Sequence, residues 1–206
     1  MLKFWGRTSS INVRKVLLAV HELGIPFERI DAGQAFGIVK TPEYRARNPN
    51  ALVPLIEDDG FALWESNVIV RYLCAKHAAG TLYPEDLRQR FDAERWMDWQ
   101  QTTFNPAGRE AFVQLIRTPA EQRSAELIAK SVAATEPLLD LLEAHLAQRP
   151  FMAGDRFTMA DMPIACEMHR WWGLPLPRAA RPNLDRWYAQ MLARPASRGV
   201  LDLALS

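Results

Sequence analysis

The chain has 206 residues, 49% of them apolar, and its 25 basic side chains nearly balance 24 acidic ones. This composition is typical of a globular chain with one or two compact domains. A formal charge of +1, without a long basic run, argues against a dedicated nucleic-acid or anionic-membrane binder. No apolar stretch approaches the roughly 20 residues of a membrane span, and the N-terminus lacks a signal-peptide core. We therefore expect a cytoplasmic protein with neither nucleic acid nor membrane as partner.

The usual markers of disulfide, metal and nucleotide chemistry are missing from the sequence. The two cysteines, Cys74 and Cys166, form no CxxC pair and lie among apolar residues, which favours buried thiols. The four histidines show no paired ligand spacing, so we expect no metal. Neither GxGxxG nor GxxxxGK[ST] is present, which removes the usual markers of dinucleotide and nucleoside-triphosphate binding.

The first eighty residues alternate between strand and helix patterns, in the order βαβ and then ββα. Asp59-Gly60 between two apolar runs is a strong hairpin signal. A polar stretch without a predicted element covers residues 31–50. The predicted elements are a strand at Leu2–Trp5, a helix from the Ser9/Ser10 region to Gly24, strands at Phe27–Ile30, Val53–Glu57 and Phe61–Trp64, and a helix at about Ser66–His77.

From Leu87 onward only helical periodicity remains. Pro106 is expected to break or kink the first of these helices, because proline removes a hydrogen bond and clashes with the preceding turn. Apolar spacing predicts a second helix over Ile128–Leu146 and a final amphipathic one over Leu184–Leu192. Between them, Thr158–Asp161 is a capping-box-like helix start.

The change of pattern at Gly80–Pro84 predicts two domains. Residues 1–80 form an α/β domain of the thioredoxin-like type, βαβ-ββα, and residues 87–206 form an all-α helical domain. A cleft between two such domains is the default place for a site.

Three places in the first domain could take part in binding or catalysis. Ser9 and Ser10 lie at the amino end of a helix, where free N–H groups and the helix dipole favour an anion such as a thiolate. A cis bond at Val53–Pro54 would leave the Val53 main chain open to an extended ligand. Glu65–Ser66 could receive an α-amino acid group. Taken alone, each is better explained by an ordinary helix cap or a trans edge-strand proline.

Five segments together resemble bacterial cytosolic glutathione S-transferases of the serine-type, theta-like branch. The segments are Trp5–Val16, Asn48–Pro54, Leu63–Leu73, Gly154–Asp161 and Arg181–Leu184, so the resemblance spans nearly the whole chain.

The resemblance implies a catalytic hydroxyl at the amino end of the first helix, four residues before a basic residue. Ser10 with Arg14 has this spacing and is the first choice, and Ser9 is the runner-up. Asn12 is a further residue able to reach the sulfur of glutathione.

The resemblance also implies the residues that bind glutathione. Val53, before the family's cis proline at Pro54, would pair with the cysteinyl main chain. Glu65–Ser66 would hold the γ-glutamyl end, and Lys40 resembles the basic residue that meets the glycyl carboxylate.

The electrophile is expected to enter from the helical domain, where aromatic side chains could wall an apolar pocket. Aromatic residues at helical spacing are also commonly core residues. Arg109 and Arg117 could orient an anionic electrophile or lie on a solvated face. The candidate pocket residues are Trp96, Trp99, Phe104 and Phe112, with Trp171 and Trp172 as further aromatic candidates.

The resemblance thus implies a glutathione transferase that adds the glutathione thiolate to small electrophiles, with glutathione as cosubstrate, and that is a homodimer like its cytosolic relatives. Two alternatives stay open. One is a glutathione-dependent reductase, dehalogenase or isomerase on the same scaffold, and the other is a non-catalytic ligand-binding protein that kept the fold.

Overall fold

The computed structural model describes residues 1–206, and its N-terminal part is built on a mixed four-stranded sheet. The strand order is β2-β1-β3-β4; β1 pairs parallel to β2 and antiparallel to β3, and β3 pairs antiparallel to β4. The strands are β1 (Leu2–Trp5), β2 (Phe27–Ile30), β3 (Leu55–Asp58) and β4 (Phe61–Trp64). This is the thioredoxin-like arrangement expected from the sequence.

Helices cover both faces of the sheet and form all of the C-terminal part. The helices are α1 (Ile11–Glu22), α2 (Pro42–Arg47), α3 (Ser66–His77), α4 (Leu87–Trp99), α5 (Asn105–Phe112), α6 (Ala125–Leu146), α7 (Asp161–Trp172) and α8 (Pro182–Ala193). No strand occurs after β4, so the predicted change from α/β to all-α structure is confirmed.

Alternating side chains place the two faces of the sheet in different apolar clusters. Leu2 and Phe4 of β1 point into the main core with α1 and α3. Trp5 points to the opposite face and packs with Tyr44 of α2 and Leu55 of β3. The alternation follows from the period of two along a strand.

The hairpin between β3 and β4 has the turn that its sequence predicts. Asp59 and Gly60 have φ values of 50° and 86°, as a two-residue type I′ turn requires. The first helix also ends as predicted, since Gly24, with φ of 62°, follows the C-cap residue Leu23.

The apolar pattern of the sequence did not predict α2, which lies within the polar stretch of residues 31–50. Its signal is capping: the Thr41 hydroxyl accepts a hydrogen bond from the Tyr44 N–H at 3.3 Å, and Pro42 occupies the first turn. Tyr44 alone of this helix is fully buried, which explains the absence of an apolar period.

Pro106 does not break the helix, because the chain stays helical from Leu87 to Arg117, and a kink at this position stays a prediction. A π-helical turn at Gln100–Phe104 precedes α5 and changes the hydrogen-bond pattern just before the proline. Pro106 then falls in the first turn of α5, where a missing N–H is tolerated.

Polar contacts join the two parts of the chain. The Asn67 amide of α3 donates to the Met97 carbonyl of α4 at 2.6 Å. Lys15 of α1 is fully buried and donates to Gln101 Oε1 at 2.8 Å. Burial lowers the Lys15 pKa to about 8.

Both cysteines are buried as expected, and burial raises the pKa of Cys74 and of Cys166 to about 12. They therefore stay protonated core thiols. No helix is long and apolar enough to cross a membrane.

Candidate active site

A cleft of about 350 Å³ lies between two sides of the molecule. One side is formed by the start of α1 and the segment before β3, and the other by α5. One wall carries the predicted residues Ser9, Ser10, Asn12 and Val53. The opposite wall carries Phe112 and neighbouring residues of α5 and the following π turn, and the C-terminal segment closes one side.

Ser10 is the N-cap residue of α1, and its hydroxyl is not used for capping. Its main chain takes part in the helix start: the N–H donates to the Arg7 carbonyl at 3.2 Å, and the carbonyl accepts from the Arg14 N–H at 3.0 Å. Its side chain, only 8% exposed, makes no hydrogen bond to the first helical turn. The hydroxyl and the first N–H groups of α1 are therefore available to one anion in the cleft.

The amino ends of α1 and α3 are linked by a side-chain hydrogen bond. The buried Ser66 hydroxyl donates to Asn12 Oδ1 at 3.3 Å. The acceptor of the Asn12 amide is thus engaged, and its NH₂ group remains able to donate into the cleft.

The segment before β3 is held rigidly against the rim of the cleft. The Val53–Pro54 peptide bond is cis. The Leu52 carbonyl accepts from the Tyr44 hydroxyl at 2.6 Å and from the Asn48 amide at 2.9 Å. The Val53 main chain makes no backbone hydrogen bond, so it can pair with an extended ligand.

Glu65 and Lys40 lie outside the lining of this cleft. Glu65 is exposed at the N-cap of α3 with φ of 73°, an uncommon conformation for a residue with a side chain. Lys40 is exposed next to Val39, which does line the cleft. Both can reach only a ligand that extends from the cleft over the rim.

Comparisons with known proteins identify the family. The glutathione S-transferase N-terminal and C-terminal domain families match residues 9–76 and 104–195. The chain is 42% identical to glutathione S-transferase GstB of Escherichia coli, over all of both chains. The chain belongs to the glutathione S-transferase family. It is a glutathione transferase, as the sequence resemblance implied.

Other relatives agree with this assignment. Glutathione S-transferase 3 of Zea mays is 32% identical over 95% of this chain and 90% of its own. The crystal structure of the theta class glutathione S-transferase of Xanthomonas axonopodis pv. citri with glutathione bound is 41% identical, covers 100% of this chain and 99% of its own, and has a TM-score of 0.96.

Three of the four aromatic residues expected to wall the electrophile pocket of this transferase lie in its helical core. The Trp96 ring is 4.4 Å from His145 and 5.3 Å from Trp99, which is in turn 5.3 Å from Phe104. Only Phe112 lines the cleft. Trp96, Trp99 and Phe104 pack together between the helices and do not line this cleft, so their place at the electrophile pocket stays a prediction.

Sequence reasoning missed the C-terminal segment of the transferase, which lies beside the cleft although it is far from Ser10 in sequence. Arg14 Nε donates to the Thr8 carbonyl at 2.8 Å, while its Nη1 and Nη2 donate to the Leu203 and Ala204 carbonyls at 3.2 and 2.8 Å. Leu205, which follows, lines the cleft. One guanidinium therefore joins the serine turn to the C-terminal segment.

Replacing Arg14 by lysine should lower the free energy of unfolding by about 2 to 4 kcal/mol, because an ammonium cannot reproduce the three directed hydrogen bonds of the guanidinium. Urea denaturation measures the loss. Arg88→Lys on the exposed face of α4 is the matched control and should stay within about 0.5 kcal/mol of the wild type. Equal stability of Arg14→Lys and the control would show that Arg14 does not hold these segments together.

His169 of α7 is held as a neutral imidazole. Its Nε2–H donates to the Leu203 carbonyl at 2.9 Å, and the Tyr188 hydroxyl donates to Nδ1 at 3.4 Å. Burial raises the pKa of Tyr188, so this hydroxyl keeps its proton. Burial, followed by the charge of Arg14, lowers the His169 pKa to about 4.

The lowered His169 pKa makes the folded state bind fewer protons than the unfolded state between about pH 4 and 6.5. Stability should therefore fall on acidification through this window, by about 1 to 2 kcal/mol between pH 7 and 5. His169→Gln should lack this component in urea titrations at the two pH values.

Burial raises the Asp161 pKa to about 6, so acidification increases the stability contributed by this group, opposite to the effect of His169. The free energies of unfolding of wild type and variant are therefore compared at each pH. The exposed His77→Gln serves as the control and should retain the wild-type slope. Parallel pH dependence of wild type and His169→Gln would contradict the neutral assignment.

Proposed function

We propose that this transferase binds glutathione with residues 1–80, stabilises its thiolate through Ser10, and adds the sulfur to a small electrophilic carbon. Residues 87–206 supply the wall against which the electrophile lies, with Phe112 among its apolar residues. The observation that carries the proposal is Ser10, which lines the cleft at a helix amino end and whose hydroxyl makes no cap hydrogen bond.

The Ser10 hydroxyl and the end of α1 can supply the free energy needed to ionise the glutathione thiol at neutral pH. A free thiol has a pKa of about 8.5, and lowering it by roughly two units requires about 2.7 kcal/mol. A hydrogen bond to a charged group contributes about 1.5 to 3 kcal/mol, and a helix amino terminus about 0.3 to 1 kcal/mol. Ser10 and the end of α1 therefore need no metal or general base to make the thiolate predominant at neutral pH.

The helix geometry supports Ser10 over Ser9 as the thiolate-stabilising residue. Ser10 holds the N-cap position, from which a side chain normally reaches the first N–H groups of a helix. A sulfur bound to its hydroxyl shares those N–H groups. Ser9 lies one residue earlier, in the turn closed by the Ser10 N–H and the Arg7 carbonyl. The Asn12 amide is a second donor toward the same place.

The rest of glutathione would extend along the rim. Its cysteinyl main chain would pair with Val53, preceding Pro54, and its γ-glutamyl amine and carboxylate would meet Glu65 and Ser66 at the start of α3. The exposed Lys40 would meet the glycyl carboxylate. Two features support this path: the Val53 main chain, which makes no hydrogen bond, and the exposed Glu65 with its positive φ.

Calorimetry with glutathione and a panel of electrophiles, followed by thiol loss and product mass, tests the function. We expect glutathione to bind and products that carry the glutathionyl group. A product without glutathione would identify a reductase, dehalogenase or isomerase, and absent glutathione binding would identify a non-catalytic protein.

We also propose that the transferase is a cytoplasmic homodimer. Exposed apolar side chains on neighbouring elements support self-association: Phe61 on β4, Val68 on α3, and Leu87 and Phe91 one turn apart on α4. The Arg71–Asp98 ion pair shows that α3 and α4 are adjacent. Sedimentation equilibrium would give twice the monomer mass if the proposal is correct.

A further inference from the structure

The charged side chains that line the cleft are all of one sign. Five arginines line it, and neither an aspartate nor a glutamate does, although the whole chain carries a net charge of only +1. The five are Arg7, Arg14, Arg109, Arg117 and Arg170.

Two of these arginines already have structural partners. Arg14 donates to three main-chain carbonyls, and Arg170 forms a buried ion pair with Glu167. The remaining three, here called the arginine trio, have no aspartate or glutamate partner, although Arg117 donates to the main-chain oxygen of the last residue, Ser206. The trio is Arg7, Arg109 and Arg117.

The arginine trio is incompletely satisfied. Arg7 Nε is buried and makes no hydrogen bond. Arg117 donates to two main-chain oxygens, those of Ser9 and Ser206, at 3.5 and 3.2 Å, and its guanidinium lies 4.6 Å from the Phe112 ring centroid. Arg109, on the exposed side of α5, forms neither a hydrogen bond nor an ion pair.

The members of the trio also repel one another. Burial and the charge of Arg117 lower the pKa of Arg7. Burial and the charges of Arg170 and Arg109 lower the pKa of Arg117. An anion bound among them would relieve this repulsion and satisfy the free donors.

The position of Arg117 sets how close that anion would be to the reacting sulfur. Its Nη2 contacts the carbonyl of Ser9, the residue next to Ser10. Arg109 and Arg117 stand on the α5 wall, opposite the residues proposed for glutathione, whereas Arg7 stands on the glutathione side. The α5 wall is where the second substrate would lie.

We propose that Arg109 and Arg117, aided by Arg7, form an anion subsite for the second substrate, and that the preferred electrophiles carry a carboxylate one or two bonds from the reacting carbon. The inference rests on the proposed conjugation and names its substrate class. Short 2-halo acids have this chemistry.

The reaction with a 2-halo acid balances without a further reactant. The glutathione thiol releases its proton to solvent, and the thiolate electron pair forms the S–C bond. The carbon–halogen bond breaks and its electron pair leaves with the halide. The carboxylate is unchanged, and the arginines offset its repulsion of the approaching thiolate.

Iodoacetate and iodoacetamide are a matched pair for the test, because they share the leaving group and size and differ in charge. Initial rates of glutathione alkylation, each divided by its uncatalysed rate, should favour iodoacetate in the wild type. In the double variant R109Q/R117Q, kcat/KM for iodoacetate should fall by about 10- to 100-fold, since hydrogen bonds to a charged group are lost. Turnover of iodoacetamide and the KM for glutathione should change less than about threefold.

Arg88→Gln, on the outer face of α4, is the control and should behave as the wild type. Equal loss with both electrophiles, or a raised KM for glutathione, would overturn the subsite. The same holds if the wild type conjugates other electrophiles but shows no preference for the carboxylate.

Product binding separates this inference from the proposed catalysis. By calorimetry, the wild type should bind S-carboxymethylglutathione more tightly than S-carbamoylmethylglutathione, and R109Q/R117Q should lose the difference. If this preference is found without turnover, the subsite stands and the proposed catalysis fails. If both products bind equally to the wild type, the subsite is wrong even when conjugation is observed.

Discussion

Replacing Ser10 by alanine should lower the rate of glutathione conjugation by about 10- to 100-fold at pH 7 while glutathione still binds. The variant loses one hydrogen bond to the thiolate, but the first N–H groups of α1 and the distant contacts of glutathione remain. Because the hydroxyl makes no cap hydrogen bond, its removal should leave the helix and the free energy of unfolding nearly unchanged. Initial-rate assays of glutathione conjugation with a halogenated electrophile measure this loss.

The pH profile distinguishes loss of thiolate stabilisation from a general defect. Without the Ser10 hydroxyl, the ionisation of bound glutathione should move to higher pH by about one to two units, and turnover should approach the wild-type value in alkaline buffer. Ser9→Ala is the matched control, one residue away in the same turn, and should keep the wild-type profile. Unchanged turnover of Ser10→Ala would refute the assignment, and loss of activity in Ser9→Ala alone would transfer the role to Ser9.

The second large effect is expected at Asp161, which holds three donors in the helical part. This fully buried carboxylate accepts from the Met152 N–H at 2.9 Å, the Thr158 N–H at 2.9 Å and Trp187 Nε1 at 2.8 Å. Asp161→Ala should lower the free energy of unfolding by about 3 to 5 kcal/mol, because all three buried donors lose their acceptor.

Urea denaturation at pH 7 gives the size of the effect. Asp155→Ala, in the exposed part of the same loop, should stay within about 0.5 kcal/mol of the wild type. Asp161→Asn should lie between the two, since it keeps one acceptor oxygen. A loss below about 1 kcal/mol for Asp161→Ala would mean that the three donors find other partners or water.

The elements that the sequence predicted well are those with local physical causes. The Asp59-Gly60 turn requires positive φ values, which this pair tolerates. The extents of α1 and α3 follow from their apolar period, and α1 ends at Gly24, which adopts a positive φ. One of the two hydrogen bonds of the capping box predicted at Thr158–Asp161 also forms, from the Thr158 N–H to the Asp161 carboxylate. The helix α2 was missed because its single buried side chain gives no period.

The candidate site divides in the same way. Ser9, Ser10, Asn12 and Val53 meet at one cleft because each lies at an element end that the sequence identifies. Their roles toward glutathione came from the resemblance and stay predictions, of which the Ser9 and Ser10 variants test two.

By itself, the sequence determined the α/β part followed by helices, the family and the serine-bearing start of α1. Only the tertiary structure decided which aromatic side chains reach the cleft. Trp96 and Phe112 both lie at apolar positions of a helical period, but Trp96 packs against His145 whereas Phe112 lines the cleft. The tertiary structure also brought Leu203–Ser206 to the start of α1, and Arg109 of α5 and Arg117 of the following π turn to the same cleft as Ser10. Period and capping act over a few residues, whereas these contacts join residues about 100 to 190 positions apart, so no local pattern encodes them.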